Sequence, residues 1–480
     1  MRSVPLSWRA LGLGGLVIAG TLGAAWLGNR SYITADDFAI LAGVLFGVSA
    51  LVIVWFVDPA YTLSIGLFLS AFAGHWDTLG VPNLISPDRF LVVGAVLVVL
   101  FRAPGARNRP DIRVRPEHYW MLAAVLFVAV SAASAGTLFE KVGALRLIDR
   151  FGILPFAAFF IAPVVYTTRR QRRILLVTLI VFGLYLSLTA LFETVGVNAL
   201  VFPKYILDPH LTTHLGRARG PFIQAAVNGI AMYACALACF ISLGWLRGMQ
   251  RTAAVAIAAL CLIGLLFTLQ RSIWLGACVA IVVTFIVVPE LRRIFPVAAM
   301  AGVLAVVVAL AAIPGLAEKV IARQNQSETV RGRENLNDAA LKMLDTHPLA
   351  GVGWATFERK ESDYFTLSPD REAARFFGDP LPAHNLVLSN AAEIGLVGTS
   401  LWLVALFLAL IRAFATSRGD PDARPWRIML GSVALLYAVV AMASPMLEAF
   451  PHFLLWLLAG VVIGFGERRG FKPALVDRPA

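Results

Sequence analysis

Apolar runs of 17 or more residues recur along the whole chain. At about 1.5 Å of rise per residue, such a run crosses a ~30 Å hydrocarbon core as a helix. The pattern predicts spanning helices at 10–28, 36–57, 59–74, 87–102, 117–135, 150–167, 174–192, 222–246, 252–270, 272–288, 294–313, 386–411, 428–445 and 452–466. The stretch Thr252–Val288 holds 37 residues and one charge, Arg271. As a single helix it would be roughly 55 Å long, nearly twice the core thickness, so it predicts a hairpin with Arg271 at its turn. Between Pro314 and Ala383 hydrophobicity falls, and 11 acidic and nine basic residues appear. There Leu336, Ala340, Met343 and Leu344 stripe one face of a helix from about Glu334 to Thr346. Pro348 and the Gly351-Val352-Gly353 turn end it. A folded loop is expected, and loops of this length in compact proteins are usually functional.

Composition agrees with the spans. Of 480 residues, 59% are hydrophobic and 15% charged, against about 25% charged in a soluble domain. The expected class is an all-α polytopic membrane protein with about fourteen (12–14) transmembrane helices. Four segments are predicted: an N-terminal transmembrane bundle over 1–313, an external loop with short helices over 314–385, C-terminal transmembrane helices over 386–466, and a cytoplasmic tail over 467–480. Arg2 and Arg9 precede the apolar run Ala10–Leu27, which reads as an uncleaved signal anchor. The formal charge of +12 could point to nucleic acid, but its distribution is topological. Threaded from a cytoplasmic N-terminus, cytoplasmic segments receive 23 of the 41 Lys and Arg, and the short external segments receive nine. The other nine fall in the long loop, which the positive-inside rule does not count. Both termini are therefore expected in the cytoplasm, and nucleic-acid binding is not expected. Cys235, Cys239, Cys261 and Cys278 all lie in apolar runs, so buried thiols are expected rather than a disulfide framework or a metal site. Asp420-Pro421-Asp422 reads as a solvated cytoplasmic turn.

Candidate chemistry gathers where the loop re-enters the membrane. Pro380 and Pro382 fix the chain before His384, placing the imidazole at the external mouth of the next helix. Asn385 can cap that helix. Glu393, Gly395 and Gly398 lie deeper, where glycines let another helix approach closely. Glu393 is either a buried partner for an Arg or part of an acceptor site. Arg331 and Arg333 in the loop either bind substrate or form salt bridges with its acidic residues.

This segment resembles the O-antigen ligase superfamily, which also contains O-antigen and exopolysaccharide polymerases. The resemblance rests on His384-Asn385, nine residues, then Gly395-x-x-Gly398-Thr399. Further likeness lies in Gly216–Phe222 with Arg217 and Arg219, in Thr268–Ser272 with Arg271, and in Arg333 followed by His347–Gly353. Val227-Asn228 stands where the family often has Pro-Asn. The resemblance implies a GT-C-like bundle in a bacterial inner membrane, its active site facing the periplasm. It also implies transfer of glycan from a polyprenyl diphosphate carrier to a glycan or lipid-core acceptor, inverting, without metal or cofactor. Membrane lipids and other polysaccharide export or assembly proteins are the implied partners. On this basis His384 is the general base, a role suited to a pKa near about 6.5. Arg217, Arg219, Arg271, Arg333, Asn385 and Glu393 would bind diphosphate and glycan, since a guanidinium fork matches phosphate oxygens. Plainer roles stand beside these: His384 as an interfacial hydrogen-bonder, and Arg217 and Arg219 snorkelling to lipid headgroups. A flippase for lipid-linked glycans or a non-catalytic assembly protein are the competing functions. A flippase would need charged residues lining a mid-membrane cavity.

Overall fold

The computed structural model describes residues 54–81, 86–102, 113–211, 216–325, 328–364 and 383–467, with backbone alone for 102, 323–325, 328–333 and 467. The predicted span 10–28, and 36–57 apart from its last residues, lie outside the described residues. Within them, all regular structure is helical. The bundle helices are α1 (Pro59–Leu69), α2 (Pro87–Arg102), α3 (Pro116–Ser134), α4 (Lys141–Leu145), α5 (Ile153–Val165), α6 (Arg169–Val195), α7 (Ala225–Ser242), α8 (Gly248–Phe267), α9 (Arg271–Val287) and α10 (Phe295–Ala312). The loop contributes α11 (Leu316–Asn325), α12 (Glu328–Thr346) and α13 (Phe357–Tyr364), and the chain closes with α14 (Leu386–Thr416), α15 (Arg424–Ala441) and α16 (Ala449–Glu467). Nine helical stretches among the described residues are long and apolar enough to cross a membrane, and two shorter apolar ones, Pro59–Phe72 and Arg271–Val287, accompany them. The chain is thus an all-α, multi-pass membrane protein.

Local chemistry sets the helix ends. The Asp58 side chain accepts the Ala60 N–H at 3.0 Å, with Pro59 opening α1. Thr168 and Gln171 form a capping box that starts α6 ahead of its arginine run, several residues before the predicted span. The hairpin expected in Thr252–Val288 is present: α8 stops at Phe267 and α9 begins at Arg271. Two further boundaries differ from expectation in a telling way. The helix predicted from 150 is helical from Lys141, through a π-helical turn at Arg146–Phe151. Its charges read as loop in the sequence; in the structure Asp149 pairs with Arg89, and Arg146 with Glu358 and Glu393. α12 starts six residues before the predicted Glu334, at a point that no apolar stripe marks.

The core is built around α16, almost wholly enclosed by other helices. A Cβ at Gly460 would lie 2.6 Å from the Phe159 carbonyl oxygen, and one at Gly464 3.0 Å from Pro163, so the α16 and α5 backbones cross in near contact. Trp456 meets Phe156 edge-on at 4.8 Å beside this crossing. At the periphery, α10 exposes Val297, Met300, Val303 and Leu304. In a bilayer these side chains face lipid. Cys235, Cys239 and Cys261 are buried, but Cys278 is exposed, on a helix face that protein does not cover. Burial of all four thiols was the expectation; a lipid-facing thiol satisfies the same apolar preference.

Candidate active site at the loop-bearing end

Asn385 accepts the Leu388 N–H at 3.1 Å and starts α14. Ten residues on, Gly395 breaks the helix with φ 66° and ψ −176°, a conformation essentially reserved for glycine. The break frees backbone groups that lipid cannot satisfy, and the loop supplies their partners. Val352 and Gly353 donate to the carbonyls of Ala392 and Glu393, each at 2.9 Å. Leu396 and Val397 donate to Pro348 and Leu349 at 2.8 and 3.3 Å. The 348–353 segment is thereby laid along α14 as a strand would be. A Cβ at Gly395 would sit 2.2 Å from the Leu349 carbonyl oxygen, and one at Gly351 2.4 Å from the Glu393 carbonyl carbon. Gly395 therefore admits the loop backbone and not a neighbouring helix, as the sequence had implied. Gly398 does face a helix, its Cβ position 2.9 Å from Phe127 of α3.

Around this junction lies a buried ionic network. The Glu393 carboxylate accepts the Phe357 N–H at 3.2 Å and lies 3.7 Å from Arg146. Of its two expected roles, it fills that of an arginine partner. Arg146 also pairs with Glu358. Arg89 pairs with Asp149, Nε to Oδ1 at 2.7 Å, and the Trp76 indole donates to Asp88 at 2.8 Å. Trp354 locks the loop in place: its indole donates to Gly143 at 3.0 Å, its carbonyl accepts from Thr137 at 2.8 Å, and its ring meets Phe151 edge-on at 5.4 Å. Sequence reasoning missed Arg89, Arg146, Asp149 and Trp354. For the two arginines the available signal was the predicted topology, which sets them on the side that the charge bias disfavours.

The arginine motifs meet at the same end. Ala218 donates to the Phe267 carbonyl at 2.9 Å, and Asn228 donates its amide to Ala218 at 3.1 Å. Asn228, the half of the Val227-Asn228 pair shared with the family pattern, thus anchors the arginine loop. The backbone N–H groups of Arg219 and Gly220 donate to the Glu193 carboxylate at 3.1 and 3.0 Å. Arg219 is 2% exposed, so it does not snorkel to lipid. Its Nη2 donates to Ile206 at 2.6 Å, while Nε and Nη1 meet no hydrogen-bond partner among the described residues. Burial lowers its pKa, opposed by Glu193. Arg217 donates to the Gln270 side chain at 3.3 Å, next to half-buried Arg271 at the hairpin turn. The structure therefore brings Arg217, Arg219 and Arg271 onto two hydrogen-bonded loops.

His384 is half-buried at the mouth of α14. Ala383 beside it packs into a small core with Leu336, Ala340 and Met343 of α12, and with Val352, Phe357 and Ala392. Arg333 lies on α12, but its side chain is outside the described residues. At the opposite end, Asp422 pairs with Arg169 at 2.9 Å, and Asp420 accepts the N–H groups of Asp422 and Ala423. That turn is structural.

Residues 256–403 match the O-antigen ligase family. No curated protein matches the chain. The O-antigen ligase-like stretch runs from α8 into α14 and takes in Arg271, Arg333, His384, Asn385, Glu393, Gly395 and Gly398. Arg217 and Arg219 precede it, joined to it through the contacts with Gln270 and Phe267.

Proposed function

We propose that this chain is a membrane glycosyltransferase of O-antigen ligase or polysaccharide polymerase type. It moves glycan from a polyprenyl (undecaprenyl) diphosphate carrier to an acceptor hydroxyl on the external face, in surface polysaccharide biosynthesis. The observation that carries this reading is the O-antigen ligase match falling on a histidine at a helix mouth, with buried arginines at the same end of the bundle. The acceptor oxygen attacks the anomeric carbon, the bond from that carbon to the diphosphate oxygen breaks, and His384 takes the acceptor's proton. Arg217, Arg219, Arg271 and Arg333 receive the negative charge that develops on the departing diphosphate, which a guanidinium fork matches. A single in-line displacement inverts the anomeric centre. Asn385 and Glu393 position the machinery: one starts the helix beneath His384, the other holds the loop at Phe357. The flippase alternative has less support, because α16 fills the centre of the bundle.

The test is His384→Ala in cells, following surface polysaccharide. General-base loss costs about 10²–10⁴-fold in rate, so polymer should fall by at least about 100-fold with the protein still in the membrane. Normal amount and chain length would remove the assignment. Unligated long chains on the carrier would mark a ligase, and single repeat units a polymerase.

A further inference from the structure

Arg150 and Glu448 stand at the loop-bearing end, and the transfer scheme uses neither. Arg150 belongs to the π-helical turn Arg146–Phe151, the sort of local irregularity that often marks a functional site. It is 9% exposed. Its neighbours have direct partners: Arg89 has Asp149, and Arg146 has Glu358 and Glu393. Among the described residues the Arg150 guanidinium makes no hydrogen bond and no ion pair, and it interacts only at longer range with Arg146, Glu393, Glu358 and Glu448. At 9% exposure the guanidinium is open to solvent only slightly, and a bound group could supply the acceptors that the protein does not. Glu448, just before α16, is half-buried. Its carboxyl likewise has no hydrogen bond or ion pair among the described residues. The charged groups acting on it are Arg150 and Asp149, and it acts in turn on Tyr205.

The location of this pair has meaning. α16, which Glu448 precedes, packs against the Arg146–Phe151 turn, and on its other side Arg150 interacts at longer range with Glu393 and Glu358, on the helix that His384 opens and the loop packed against it. Glu448 in turn neighbours Tyr205, whose hydroxyl donates to Pro221 at 2.8 Å on the arginine loop and whose ring stacks on His75 at 5.0 Å. The pair thus links the histidine side of the site to the diphosphate side. A guanidinium facing a carboxyl suits vicinal hydroxyls, which accept from one and donate to the other. Burial pushes the Glu448 carboxyl up to about 8, with Arg150 holding it down and Asp149 adding to the rise. Near neutral pH it can therefore also donate.

We propose that Arg150 and Glu448 form a sugar subsite, gripping ring hydroxyls of a pyranose in the glycan. This rests on the transferase reading above. The pyranose belongs either to the lipid-linked donor or to the acceptor. The experiment uses the purified full-length protein in nanodiscs. The donor is lipid-linked glycan extracted from cells lacking this chain, and the acceptor fraction comes from the same cells. Arg150→Gln and Glu448→Gln should each raise KM for one substrate at least tenfold, with kcat changed less than threefold. The substrate whose KM moves identifies the source. His384→Ala should lose kcat instead. If both KM values stay within twofold of wild type, or if the loss lies in kcat alone, the subsite is overturned. If Arg150→Gln does not fold, Glu448→Gln, which removes no volume, gives the same readout. Absence of transfer by the wild type would defeat the transferase reading itself, a result distinct from unchanged KM values.

Discussion

Nine Lys and Arg fall on the short external segments of the predicted topology, and six of them converge on this site: Arg89, Arg146, Arg150, Arg217, Arg219 and Arg271. In that topology charge bias puts most cations on the other side, and carboxylates or carbonyls pair with several of these six. Of the six, the sequence marked only Arg217, Arg219 and Arg271 as candidates. Their partners, Asp149, Glu193, Glu358 and Glu393, lie far away in sequence, so no local pattern could announce the pairs. Glu448 gives a test at this scale. Burial pushes its carboxyl from the ordinary 4.5 up to about 8, so the fold favours the protonated form. The stability it contributes is complete below the ordinary value and is lost as pH climbs through the folded one. In detergent, wild-type thermal stability should therefore decline more between pH 5 and 8.5 than that of Glu448→Gln, with the pH difference between the two isolating this group. Parallel profiles would contradict the placement of Glu448.

Among the elements, α14 shows what sequence could and could not disclose. The prolines, the His384-Asn385 pair and the apolar run marked its start, and Asn385 caps it. The small residues in it were legible as sites of close approach. Which surface approached was not, because a glycine serving a helix crossing and one serving a backbone break look alike in one dimension. Gly398 serves the crossing with α3, and Gly395 the break that receives Pro348–Gly353. Gly395→Ala should cost about 1–3 kcal/mol in backbone strain, with a further penalty from the 2.2 Å approach to Leu349. Its expected effect is a lower melting temperature in detergent and faster proteolysis within the loop. Gly398→Ala, in ordinary helical geometry, should be the milder change. Equal stability of the two variants would show that the break carries no strain.

At the scale of the whole molecule, hydrophobic periodicity was enough for the bundle. Each predicted span within the described residues has its helix, because a membrane helix satisfies its backbone internally and needs little tertiary help to declare itself. The site required the fold, since residues far apart in sequence assemble it at one end of that bundle. The central claim is that this end faces outward, where lipid-linked glycan is presented. Leu349 is 67% exposed and lies directly on the α14 break, and Arg418 is exposed beyond the other end of α14. The decisive measurement places a single cysteine at either position in a Cys278→Ala background, the other three thiols being buried, and treats the protein with a membrane-impermeant maleimide. Leu349→Cys should label in intact spheroplasts and Arg418→Cys only in inverted vesicles. The reverse pattern would put the site in the wrong compartment for the proposed chemistry.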